Sequence, residues 1–168
     1  MSEASTNQDN GTQRTPSGVR IGHVNLKVSD LQRSLAFYQD VLGFKVTKRL
    51  GQAAAFLAHG DYYHHDICIN TWESRGGSPP AAGATGLFHF AIVYAERSDL
   101  RDMYERLKAA GVAIDSTVDH GVSESIYIRD PDQNGVELYW DRPASLWRSS
   151  SGEINMGHRP MHPEELLR

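Results

Sequence analysis

At 168 residues the chain is long enough for one domain with its own buried core. Its 39% hydrophobic and 23% charged residues are ordinary for a globular domain, and a net charge of −4 without a Lys/Arg cluster gives nucleic acid or an anionic membrane nothing to hold. The single cysteine, Cys68, excludes an intrachain disulfide, and the longest apolar runs, AAAFLA and LFHFAIVYA, are too short to span a bilayer.

Residues 1–19 are polar and read as a disordered segment, neither basic nor hydrophobic enough for a secretory leader; the expected location is cytoplasmic. IGHVNLKV, residues 21–28, alternates Val24, Leu26 and Val28 with His23, Asn25 and Lys27, the pattern of a half-buried strand. A helix is expected from Ser29 as N-cap, striped by Leu31, Leu35, Tyr38 and Leu42 and closed by Gly43. Three short strands follow at about 44–50, 53–58 and 63–71. A linker rich in Gly, Pro and Ala, residues 73–85, leads to Gly86.

There the pattern restarts. LFHFAIVY is a strand, SDLRDMYERLKAAG a helix striped by Leu100, Tyr104 and Leu107, and strands are expected at about 112–117, 123–129 and 135–141. His23 recurs as His89 and Tyr38 as Tyr104, each 66 positions on. The chain therefore reads as α+β, a βαβββ module written twice (20–72 and 86–142) in one domain of residues 20–142, with a tail at 143–168. That tail is expected to cover the cavity mouth or a partner subunit; His158 and His162 within it are not read as ligands.

Strand alternation sorts the polar residues by face. His23 lies opposite Val24, Leu26 and Val28; His89 lies opposite Phe88, Phe90 and Ile92, which are expected to pack on the helix. Tyr127 lies opposite Ile126 and Ile128, and Glu137 opposite Val136, Leu138 and Trp140. His23, His89, Tyr127 and Glu137 thus share the concave face. Two histidines and one carboxylate with open positions are the ligand set of non-haem iron(II) oxygenases, although the same donors suit Mn(II), Co(II), Ni(II) or Zn(II). Glu124 is read as a solvated strand residue, and Trp72 and Trp140 as plugs at the barrel rims.

The duplicated βαβββ pattern with His23, His89 and Glu137 resembles the vicinal oxygen chelate superfamily of glyoxalases, fosfomycin-resistance proteins and extradiol dioxygenases, over residues 20–142. The resemblance implies an open mixed-sheet barrel around a divalent metal, and a homodimer or higher homo-oligomer. Glyoxalases and related epimerases take a fourth ligand from the last strand of the first module; here the candidate inward positions, Ile67 and Ile69, are apolar. Within the superfamily the chain is most similar to a single-domain extradiol dioxygenase. That likeness implies catalytic roles for His65 (from HHDICI), His120 and Tyr127, with Fe(II) as cofactor and a small aromatic diol and O2 as substrates. Tyr127 stands ten residues before Glu137, as in the two-domain members. The alternatives are another metal-dependent member, of the fosfomycin-resistance or glyoxalase/epimerase kind, and a metal-free drug-binding protein.

Overall fold

The computed structural model describes residues 18–60 and 63–168, so the segment expected to be disordered lies almost wholly outside the described residues. The first module runs β1 (Val24–Lys27), α1 (Leu31–Leu35), β2 (Lys45–Leu50), β3 (Ala54–Ala58) and β4 (Ile67–Asn70). The second runs β5 (Phe90–Tyr94), α2 (Arg97–Ala109), β6 (Ile114–Asp119), β7 (Ser123–Arg129) and β8 (Gly135–Asp141). Two mixed sheets result, ordered β1-β4-β3-β2 and β5-β8-β7-β6, with a short β9 (Arg159–Pro160) from the tail added beyond β6. Neither sheet closes into a barrel. The first strand of each module pairs in parallel with the last, and the other pairings are antiparallel.

The first helix ends at Gly43 as expected but differs at its N-terminus and in its second half. Asp30, not Ser29, is the N-cap, its carboxylate accepting from Gln32 N at 2.8 Å and Arg33 N at 3.0 Å. Ser29 instead donates its backbone N–H across the molecule to Asp132 Oδ1 at 3.0 Å. After Leu35 the helix widens into a π-helix over Ala36–Val41 before Gly43 (φ 84°) ends it.

One core joins the modules. Leu26, Val28, Leu57, Ile67 and Ile69 of the first sheet and Phe90, Ile126, Ile128 and Leu138 of the second are buried in a single cluster with Leu35, Tyr38, Leu100 and Leu107 from the helices. A polar latch lies beside it in the β7–β8 turn. Buried Asp130 accepts from Tyr38 Oη at 2.8 Å, and Asp132 accepts from Arg33 and Ser34. The turn residues thus fasten the first module's helix to the second module's hairpin, and every buried carboxylate oxygen in the latch has a donor.

Register corrects several readings of face. Val24 pairs with Ile67 and Leu26 with Ile69, and laterally paired residues project from the same side, so Ile67 and Ile69 belong to the core face, not the concave one. The concave positions of β4 are Cys68 and Asn70. Phe88 does not pack on the helix; β5 begins only at Phe90, leaving Phe88 79% exposed. Glu124 is buried, not solvated, between Arg97 (2.8 Å) and Arg142 (2.9 Å), because its parity puts it on the core side with Ile126. Trp72, 57% exposed, plugs no rim.

Candidate active site

The expected residues divide between the sheets, two at the first and four at the second. On the second, Ala91 pairs with Glu137 and Glu137 with Tyr127, which sets β5, β8 and β7 side by side with their chemistry on one face. His89 stands one residue before β5, and its Nε2 lies 3.1 Å from Glu137 Oε2. The other carboxylate oxygen, Oε1, accepts from Ser125 Oγ at 2.7 Å and from Tyr127 Oη at 2.9 Å. Tyr127 Oη lies 2.8 Å from Nε2 of His120. Four predicted residues thus form one line, His89, Glu137, Tyr127 and His120, of which His89, Tyr127 and His120 line a cavity of about 370 Å³ with Phe88, Arg129 and His158.

The electrostatics of that line follow from its burial. Desolvation first, then the hydrogen bond and charge of Glu137, push the Tyr127 phenol up to about 12. It therefore remains a proton donor at any physiological pH. Glu137, with a side chain only 13% exposed, has both oxygens engaged and its orientation fixed.

The remaining two residues sit together elsewhere. His23, one residue before β1, packs its ring 4.5 Å from that of His65, which also contacts Phe56 at 5.0 Å. His65 Nδ1 lies 2.6 Å from Nδ1 of exposed His64. Burial, then the neighbouring His23 and His64, lower the His65 pKa from 6.5. Among the described residues no three His, Cys, Asp or Glu groups gather in a geometry that holds a metal. His89 and Glu137 are brought together; His23 is placed with His65 instead.

Does the donor pair on the second sheet fit a cation? Two donors in adjacent positions of a metal shell, with bonds of about 2.1 Å at a right angle, stand about 3 Å apart. The 3.1 Å between His89 Nε2 and Glu137 Oε2 is that spacing. Nδ1 of His89 is buried and without a partner, so Nε2 is the nitrogen that can ligate. The chemistry and spacing of the pair fit a divalent metal.

Register also shows residues that alternation alone missed. Asn25 pairs with Cys68 as Ala91 pairs with Glu137, so Cys68 occupies in the first module the place of Glu137 in the second. Burial pushes its thiol pKa up, which disfavours the thiolate that a metal would need. Arg129 shares Tyr127's parity and reaches the cavity, where Asp115 pairs with it at 2.9 Å. Its place could have been read from the same alternation that placed Tyr127.

A family model, the Glyoxalase/Bleomycin resistance protein/Dioxygenase superfamily, matches residues 20–138. The chain is 40% identical over 148 residues to a catechol-2,3-dioxygenase of Bacillus subtilis, covering 88% of this chain and 50% of that protein. It is 37% identical over 127 residues to a biphenyl-2,3-diol 1,2-dioxygenase of Rhodococcus globerulus (75% and 65% covered), and 33% identical over 119 residues to a glutathione transferase FosA of Serratia marcescens (71% and 79%). The chain thus spans about half to two-thirds of the length of these ring-cleaving relatives. Among solved structures, a lactoylglutathione lyase from Agrobacterium tumefaciens superposes with a TM-score of 0.57 at 24% identity, over 80% of this chain and 98% of the other. The repeated modules, the two mixed sheets and the extent of these matches agree: the chain belongs to the glyoxalase/bleomycin resistance protein/dioxygenase superfamily.

Proposed function

We propose that the protein is an extradiol dioxygenase that opens the ring of a catechol-type diol with O2, inserting both oxygen atoms beside the diol. The observation that carries this reading is the line His120–Tyr127–Glu137–His89, which joins an acid–base pair directly to a candidate metal carboxylate at the wall of a cavity. The likeness to two ring-cleaving dioxygenases supports it.

His23, His89 and Glu137 would hold iron(II), which when bound acidifies a coordinated hydroxyl and mediates electron flow between ring and dioxygen. The chain's own residues do the rest. Tyr127, protonated because its pKa stands near 12, turns its one proton from Glu137 Oε1 to a substrate oxygen bound beside that carboxylate. His120 exchanges the substrate's proton at Nε2, the nitrogen turned toward Tyr127. His65, its pKa below 6.5, donates as a neutral imidazole to the charge that develops on oxygen.

We infer that a second copy of the chain completes the set. β1 and β5 are edge strands of their sheets, and each is led in by exposed apolar residues at matching repeat positions, Ile21 before β1 and Leu87 before β5. Pairing these edges between two copies would bring the His23–His65 half of one to the His89–Glu137 half of the other, with two such sites in a symmetric dimer.

A second reading, metal-dependent opening of the epoxide of fosfomycin, is favoured by size, since the chain covers 79% of the FosA relative. It is disfavoured by charge: Lys27 and Arg129 on the concave faces are already paired with Glu73 and Asp115. Anaerobic reconstitution with iron(II), then oxygen uptake and visible absorbance across a panel of catechols, separates the two. Uptake matched by a yellow ring-opened product is expected, with His120→Gln lowering the rate about 10²–10⁴-fold. No uptake from any diol, with turnover of fosfomycin and glutathione under manganese, would replace this reading by the second.

A further inference from the structure

The C-terminal segment makes a contact with His120 that the proposed mechanism does not use. Nδ1 of His120 lies 2.9 Å from the backbone carbonyl oxygen of Gly157, and Gly157 N–H donates back to the His120 carbonyl at 2.8 Å. The two residues thus clasp each other by both backbone and ring. A carbonyl oxygen can only accept, so Nδ1 carries the proton in that contact, whether the ring is neutral or cationic. Nε2 is then the nitrogen whose protonation changes, and it faces Tyr127 Oη at 2.8 Å: bare, it accepts the phenol proton in place of Glu137 Oε1, and protonated, it donates to Oη while the phenol donates to Glu137.

The segment is built to hold this position. β9 pairs with β6, Val118 with Pro160 and Asp119 with Arg159. Thr117 grips Met161 through both backbone and side chain, at 2.9 and 2.7 Å, and Met161 and Leu166 are buried in the core cluster. Arg97 donates to the carbonyls of Glu165, Leu166 and Arg168. On the other side of His120 the backbone passes so close that a Cβ on Gly121 (φ 79°) would stand 2.5 Å from Asn155 O. His158, next to the clasp, lays its ring 5.7 Å from that of His120 at the cavity wall.

We propose that residues 155–158 are the orienting half of the acid–base site, with the Gly157 carbonyl as the positioning group that holds His120 in its Nδ1–H tautomer and reserves Nε2 for Tyr127 and substrate. The catalytic meaning rests on the dioxygenase reading; the tautomer does not. The neighbour of a working ring nitrogen commonly sets the tautomer in this way, through an Nδ1–H to carbonyl bond.

The test is a long-range ¹H–¹⁵N correlation spectrum of the metal-free, ¹⁵N-histidine-labelled full chain, with His120 assigned by His120→Gln. It is recorded at a pH where the ring is neutral. The expected pattern is Nδ1 protonated and Nε2 bare; a ring protonated at Nε2 overturns the proposal. Gly157→Ala, whose Cβ meets open space, keeps the carbonyl and should keep the tautomer. Gly121→Ala drives Asn155 away and should lose it; an unchanged tautomer in folded Gly121→Ala also overturns the proposal. If that variant does not fold, wild type and Gly157→Ala still decide. Should the loaded enzyme turn over a diol, Gly121→Ala is expected to lower kcat about 10²–10⁴-fold with KM little changed. An inactive enzyme with the Nδ1–H tautomer would count against the dioxygenase reading alone.

Discussion

At His65 burial and the two neighbouring histidines act in the same direction, and Asp66 opposes them more weakly. Desolvation disfavours its cation first, and the nearby rings of His23 and His64 add repulsion whenever they are charged. Its folded pKa therefore lies below 6.5, while the unfolded chain titrates near the ordinary value. The unfolded state thus binds more protons through this range, so stability from this group is full above pH 6.5 and falls as pH drops through 6.5 toward the folded pKa. In the metal-free protein the His65 ring signals should titrate with a midpoint below 6.5, and His64→Gln should raise that midpoint without restoring it, because burial, the larger cause, remains. A midpoint at or above 6.5 in the wild type would remove the reason for treating His65 as a neutral donor.

At the scale of elements, Gly135 decides how closely β5 can lie on β8. A Cβ there would collide with the Phe88 carbonyl oxygen and stand 2.9 Å from His89 Cβ, both backbone-fixed neighbours at the start of β5. Gly135→Ala must therefore push His89 away from Glu137. We expect a loss of about 1–3 kcal/mol in denaturant unfolding, as for overpacked sites, together with weaker retention of metal; an unchanged affinity would show that the His89–Glu137 spacing tolerates movement. In the sequence this glycine reads only as the end of the DPDQNG turn, since strand-to-strand approach leaves no local mark. β7 and β8 were legible to the residue, with bounds at 123–129 and 135–141, because apolar and polar residues alternate through them. β4 was not: ICIN is buried at all four positions, so burial marks neither face and Asn70 is its lone polar residue, and the irregular backbone of residues 63–66 breaks any parity carried from His65. That break is also why His65 still meets His23 while Ile67 and Ile69 turn to the core. Asn70 and Cys68 replace them on the concave side, so the first module offers no carboxylate there by either reading.

At the scale of the whole molecule, the separation of the two half-sites makes a prediction that no single-chain site shares. Consider a symmetric dimer in which each site takes His23 from one copy and His89 with Glu137 from the other. A His23→Ala homodimer lacks the first donor in both sites, and a His89→Ala homodimer lacks the second in both. In the mixed dimer one site collects both lesions and the other collects neither. Subunits mixed one to one and exchanged at random form mixed dimers half the time, with half of their sites intact, so about a quarter of wild-type metal binding and ring cleavage should return. Sites assembled within one chain would leave the mixture as inactive as its components, since each chain would then carry its own lesion. Metal stoichiometry after equilibrium dialysis reads the same arithmetic without any substrate, which keeps the question of where the site is built apart from the question of what it does. The edge strands give the reason to expect recovery: among the described residues β1 and β5 each lie at the edge of a sheet with an exposed apolar lead-in, and a second copy offers both edges a partner while joining the histidine of one module to the carboxylate of the other.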